Sequence, residues 1–227
     1  MNQIGRSIAA LLVALVAASP LAAQTILPQT KPATFDREGV IKGDSARRTF
    51  DDYAACLLGR RRKPVLEVLA LPSGSFEQNK AFLSLTKSEC LDGGTIRFSA
   101  PIFRGSLYTA LVRAQFARKP ATLGPEPMDF TKQPLPGGDT PPVPDVAELL
   151  NFASCVIHKD PENARDAIVA SAGSPKEDAA MVALAKVYGL CLYADQTLRF
   201  SKGSLIGLLA EAYYRQGNAV AQSPAAP

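Results

Sequence analysis

Residues 191–205 read C-L-Y-A-D-Q-T-L-R-F-S-K-G-S-L, and residues 90–107 read C-L-D-G-G-T-I-R-F-S-A-P-I-F-R-G-S-L, the same phrase with a few residues added. The echo continues upstream. Tyr53-Ala54-Ala55-Cys56-Leu57-Leu58 answers Phe152-Ala153-Ser154-Cys155-Val156-Ile157, and Gly74-Ser75 answers Gly173-Ser174 at the same distance past each cysteine. Two copies of about 70 residues are too long for a tetratricopeptide or ankyrin unit and too few for a solenoid. The pattern therefore predicts tandem small domains, a first repeat over residues 45–119 and a second over residues 145–216.

Local signals in both copies are helical. In the second, Val146, Leu149, Leu150, Ala153, Val156 and Ile157 recur at helical spacing. Asp160-Pro161-Glu162 supplies a cap, a proline at the first helical position and an acid in the first turn. Ser174-Pro175-Lys176-Glu177 has the form of a capping box and opens a third helix that should run to about Cys191. Ser201 opens a fourth, with Leu205, Leu208, Leu209 and Ala212 as its buried stripe. Ser99-Ala100-Pro101 opens the counterpart, with Phe103, Leu107, Ala110, Leu111 and Ala114 facing inward. The T-[I/L]-R-F segments are too short to make a sheet. The expected fold is all-α: two tandem small bundles of about four helices each.

Four cysteines allow three pairings. Cys155 lies more than a full turn past Leu150, roughly opposite the Val146–Ile157 stripe, so the first helix needs cover on two sides. Cys191 shares a helix face with Met181, Leu184 and Tyr188. Duplication and geometry together select Cys56–Cys90 and Cys155–Cys191, each stapling a first helix to the end of a third. A closed loop of about 35 residues contributes roughly 3.5–4 kcal/mol through the unfolded state. That is a large share for a bundle whose core alone is marginal.

The flanking segments indicate the compartment. Met1–Arg6 is polar with one positive charge, Ser7–Ala18 is apolar, and Ser19-Pro20-Leu21-Ala22-Ala23 is a small-residue end. Residues 1–23 thus have the three-part layout of a secretory signal peptide. The apolar run is too short to span a bilayer, and no cysteine follows it to carry a lipid. Residues 24–44 read as an extended leader. Pro120–Pro144 holds eight prolines and reads as an extended, semi-rigid linker. Gly217–Pro227 reads as a disordered tail. The mature protein is expected in the periplasm or outside the cell, without a transmembrane segment, where disulfides persist.

Catalytic sets are sparse. His158, the one histidine, precedes the Asp160 cap, and no oriented nucleophile accompanies it. It reads as a terminal-turn residue that complements helix carbonyls. Ser84-Leu85-Thr86-Lys87 has the S-x-x-K form of an acyl-transfer pair, but the later S-D-N and K-T-G elements are missing. With the cysteines bonded, one histidine leaves no zinc site, and neither metal nor cofactor is expected.

Cations are the remaining signal. Residues 45–119 carry 13 basic and 6 acidic side chains, net +7, whereas residues 145–216 carry 7 and 9, net −2. The excess centres on Arg60-Arg61-Arg62-Lys63, with Arg47 and Arg48 one helix earlier. Four adjacent cations attract anionic lipid headgroups or polysaccharide, or they complement a helix C-terminus and stay solvated. Aromatic residues are not interleaved with them, and export argues against nucleic acid. Arg97 and Arg199 hold one place in both copies. Such an arginine either bonds the last carbonyls of the preceding helix or faces a carboxylate or phosphate. The adjacent Phe98 and Phe200 read as core.

The paired C…C-L…T-[I/L]-R-F-S…[R/K]-G-S-L phrase resembles a group of exported alphaproteobacterial proteins with a two-cysteine helical repeat. The resemblance covers residues 50–116 and 146–216. It implies export and a helical fold, and brings no activity or site residue with it. The expectation is a non-enzymatic exported protein that binds an envelope protein or an anionic surface through its first repeat. The alternative is a small hydrolase-like enzyme with its site between the repeats.

Overall fold

Gly74 and Gly173 both take the chain through positive φ, 77° and 70°, and each hands over to a serine that caps the next helix. Ser75 Oγ accepts from the Gln78 amide and Ser174 Oγ from the Glu177 amide. Each of those residues then reaches back. Gln78 Oε1 accepts from Gly74 N at 3.0 Å, and Glu177 Oε2 from Gly173 N at 2.8 Å. Both side chains are buried against the turn they close. The expected capping box is thus present, its carboxylate bound one residue further back than Ser174.

The computed structural model describes residues 43–86, 90–91, 96–132, 144–192 and 198–222. Among them the helices are α1 (Gly43–Leu69), α2 (Phe76–Leu85), α3 (Ala100–Phe116), α4 (Pro144–Lys159), α5 (Pro161–Val169), α6 (Pro175–Tyr188) and α7 (Lys202–Gln222). The chain is all-α. The expected signal peptide and nearly all of the expected leader lie outside the described residues; α1 begins at the leader's end.

α1 is two helical segments joined at Arg61, whose φ and ψ of −138° and 45° are non-helical. The cause is Pro64, which offers no N–H to the Arg60 carbonyl and whose ring presses against it. At the corresponding place in the second half, Asp160 separates α4 from α5 and caps the latter, its side chain accepting from Asn163 N. With α1 counted as two segments, each half has four helical segments, as expected. The cystines are Cys56–Cys90 and Cys155–Cys191, with Cα atoms 5.9 and 5.7 Å apart. Each ties a first helix to the residues just past a third, since α6 ends at Tyr188 and Cys191 N donates to the Tyr188 carbonyl.

The two halves share one core. One hydrophobic core runs from Tyr53 and Leu57 through Phe103 and Leu111 to Leu150, Leu209 and Tyr213, and the described residues form one compact unit. Its centre is the α3–α7 pair, the most extensive helix contact. α3 buries every residue from Phe103 to Val112, so it has no single inward stripe, and Ala114, expected to face inward, is exposed. A helix covered on all sides is a core helix. Contacts advance together from Gly105–Gly207 to Gln115–Asn218, so α3 and α7 run in the same direction. The repeated G-S-L phrase aligns Gly105 with Gly203, but the helices match Gly105 with Gly207, one turn later, each glycine six residues past its serine.

Two boundaries differ from expectation. The described part of the proline-rich segment, residues 120–132, packs on the core: Phe130 is buried, with Leu123 and Met128 against the same cluster. Ala121 N donates to Tyr213 Oη at 3.1 Å and Phe130 N to Asn151 Oδ1 at 2.7 Å. Composition alone hides such anchors, because a few apolar side chains and borrowed hydrogen-bond partners suffice to seat an irregular segment. The expected tail is also partly helical, for α7 continues through Gly217 to Gln222. Gly217 is needed where it is: a Cβ there would lie 2.6 Å from the Ala121 methyl and 2.9 Å from the Phe116 ring.

Candidate functional site

The break in α1 presents the four adjacent cations. Arg60, Arg62 and Lys63 are exposed and Arg61 is half-buried at the break itself. Pro64 leaves the carbonyls of the segment before it short of donors, so positive charge is favourable there. Lys63 meets Glu67 at 3.9 Å with 89% and 63% of the two side chains in solvent, a pairing worth little. Arg62 lies near enough to Tyr214 on α7 for its charge to act on that phenol, which burial raises and Arg62 lowers.

Arg97 and Arg199 are both exposed, and among the described residues neither makes a hydrogen bond or ion pair. Of the two readings, the bond to a preceding helix carbonyl is not seen among the described residues. Their neighbours behave as expected: Phe98 stacks near Phe103 at 4.4 Å, and Phe200 on Phe152 at 5.8 Å. The backbone alternation that sends each phenylalanine into the core sends each arginine out. Arg199 precedes α7 while Arg62 lies beside Tyr214, and the thirteen residues from Ser201 to Tyr214 rise about 20 Å. Arg199 and the four cations at the α1 break therefore form two separated groups.

Other cations are consumed internally. Arg104 Nε and Nη2 donate to the two oxygens of Glu211 at 2.8 and 2.7 Å, a bidentate pair buried between α3 and α7. Arg215 stacks over Phe130 at 4.5 Å. Arg47 pairs with the buried carboxylate of Glu177, which also accepts from Lys202 at 3.0 Å, and Arg48 donates to the Ala172 carbonyl at 2.8 Å. Arg113 donates to the Ile168 and Ala170 carbonyls at the end of α5, while Arg165 of α5 donates to the Phe116 and Ala117 carbonyls at the end of α3. Each helix C-terminus is thus satisfied by the other's guanidinium. One signal of this was legible: Arg104 and Glu211 sit beside inward-facing apolar residues, where a charge needs a partner.

Four further places have chemical interest. A cleft of about 300 Å³ lies beside the Cys155–Cys191 bond, walled by Phe152, Leu190 and Leu192 with Glu148 and Asn151 at its polar side. Asn151 is occupied in holding the Phe130 amide. His158 is half-buried in the last turn of α4. Ser84 is exposed on α2 and Lys87 lies outside the described residues. The α3–α7 interface, where a site between the halves would fall, is filled by backbone contact at Gly105–Gly207 and by the Arg104–Glu211 pair.

These features define a class: an all-α, doubly disulfide-stapled protein with two external cationic groups. No helix among the described residues is long and apolar enough to cross a membrane, and no His, Cys, Asp and Glu side chains among them cluster as metal ligands. No family model, curated protein or solved structure matches the chain.

Proposed function

We propose that the protein is an exported, non-enzymatic envelope protein, built from two copies of one disulfide-stapled unit, whose first half binds an anionic surface. The observation that carries this reading is the division of labour among the cations of that half. Arg47, Arg48, Arg104 and Arg113 are bound to internal partners, whereas Arg62 and Lys63 at the α1 break, with Arg97 further along, are turned to solvent. Export is supported by the signal-like residues 1–23 and by pairing of all four cysteines, since structural disulfides persist in oxidising compartments. The same residues suit phosphate, sulfate or carboxylate groups on an envelope surface.

The test is retention of the mature protein on anionic matrices as salt rises. Retention is expected to fall steeply with ionic strength. It is also expected to weaken in an Arg60→Ala/Arg61→Ala/Arg62→Ala variant. Equal retention of wild type and variant removes the reading.

A further inference from the structure

α2 buries one face and exposes the other. Gln78, Phe82 and Leu85 face inward, while Phe76, Lys80 and Leu83 lie on the opposite arc at 100° per residue. Phe76 is 76% exposed and Leu83 64%, among the most exposed large apolar side chains of the described chain. Seven residues separate them, about 10 Å along the helix with Lys80 between. Glu77 is about a quarter turn off this ridge. α2 packs chiefly on α1, and its outer face is exposed among the described residues.

We infer that this ridge is an interfacial anchor for an anionic phospholipid bilayer. The inference rests on the reading of the first half as an anionic-surface binder and names that surface. Two features choose a bilayer. The ridge is a convex helix face with two apolar tips, a shape that enters a headgroup layer rather than receiving a partner's side chain. The charge matches as well: Lys80 stands between the tips, and Arg62 and Lys63 on α1, the helix that α2 packs against, are exposed, which favours anionic headgroups. Phe76 and Leu83 dip toward the acyl boundary while Lys80 meets phosphate.

The experiment uses the mature chain with both cystines intact. Probes are phosphatidylglycerol/phosphatidylethanolamine vesicles, phosphatidylcholine vesicles and a dextran sulfate column. Wild type is expected to partition onto the anionic vesicles and not onto phosphatidylcholine. Phe76→Ser/Leu83→Ser is expected to lower that partition at least about tenfold while leaving dextran sulfate retention unchanged. Circular dichroism identical to wild type checks that these exposed substitutions fold. Vesicle partition unaffected by the double substitution overturns the anchor and leaves the anionic-surface reading standing. A wild type that ignores anionic vesicles but is retained on dextran sulfate overturns the bilayer assignment in favour of polysaccharide. Capture of an envelope protein that depends on Phe76 and Leu83, without vesicle binding, overturns it in favour of a protein partner. Binding to neither vesicle nor column overturns both readings.

Discussion

Gly105 and Gly207 touch backbone to backbone. A methyl on Gly105 would lie 2.7 Å from the Gly207 Cα, and a methyl on Gly207 would lie 2.8 Å from the Gly105 Cα. The α3–α7 pair is thus closer than two side-chain-bearing residues allow at this point. Gly105→Ala and Gly207→Ala are each expected to cost about 2–4 kcal/mol, because backbone cannot yield as a flexible side chain does. Gly59→Ala, in open space on α1, is expected to be neutral or to stabilise by about 0.5–1 kcal/mol. Urea unfolding under oxidising conditions checks all three.

Because one core serves both halves, each cystine stabilises the whole. Removing Cys56–Cys90 or Cys155–Cys191 by paired alanine substitution is expected to cost roughly 3.5–4 kcal/mol. Either variant should still unfold in a single transition, with its midpoint lowered for probes in both halves. Two separated transitions, one half melting while the other persists, would restore the tandem-bundle arrangement.

What was legible in the chain was local. Ser174 and Asp160 cap helices where their spacing said they would, and the cysteines pair as the duplication indicated, although Cys191 lies past the end of α6 rather than on its face. What was hidden depends on neighbours far along the chain. Gly105 reads as an ordinary helix glycine until Gly207 is placed against it. Phe130 lies in a proline-rich run whose composition points to solvent, yet Asn151 and Arg215 receive it. Arg97 and Arg199 were legible as a repeated pair. Their direction was not, since it follows from which neighbour, Phe98 or Phe200, the core accepts.

Glu211 holds Arg104 across the α3–α7 interface and lies 3.7 Å from Arg215. Burial lowers the proton affinity of the Arg104 guanidinium, but Glu211 outweighs it and the net shift is upward; at Arg215 burial prevails and the shift is downward. Glu211→Gln therefore strands buried positive charge and is expected to cost about 3–5 kcal/mol. Arg104→Met/Glu211→Met, which removes Arg104 with its partner but still leaves buried Arg215 without the carboxylate, is expected to recover part of that loss. A double variant as unstable as the single one would show that hydrogen bonds, not charge balance, dominate the site. Denaturant midpoints of the three proteins decide the matter.

Glu177 is the acidic counterpart of Gln78, set in the same turn but facing Arg47 and Lys202. Burial pushes its carboxyl up, yet Arg47, the Gly173 amide and Lys202 more than offset this and hold it below the ordinary value of 4.5. A depressed carboxylate stabilises the fold fully above its unfolded value, and that contribution is lost as pH falls through the folded one. Asp51 acts oppositely: burial raises its carboxyl despite Arg113, so its protonation in acid favours the folded chain and offsets part of the loss. Glu177→Gln keeps an oxygen for the Gly173 amide, as Gln78 does for Gly74, but leaves Arg47 and Lys202 without that charge. It is expected to cost about 1–3 kcal/mol at pH 7. The gap between variant and wild type should close as pH drops below about 4.5, where the carboxyl of the unfolded chain takes up its proton before the native one does. Stability measured from pH 7 to pH 3 reads this directly. A gap that stays constant across that range would show that Glu177 acts there as a neutral hydrogen-bond acceptor and that its charge contributes nothing.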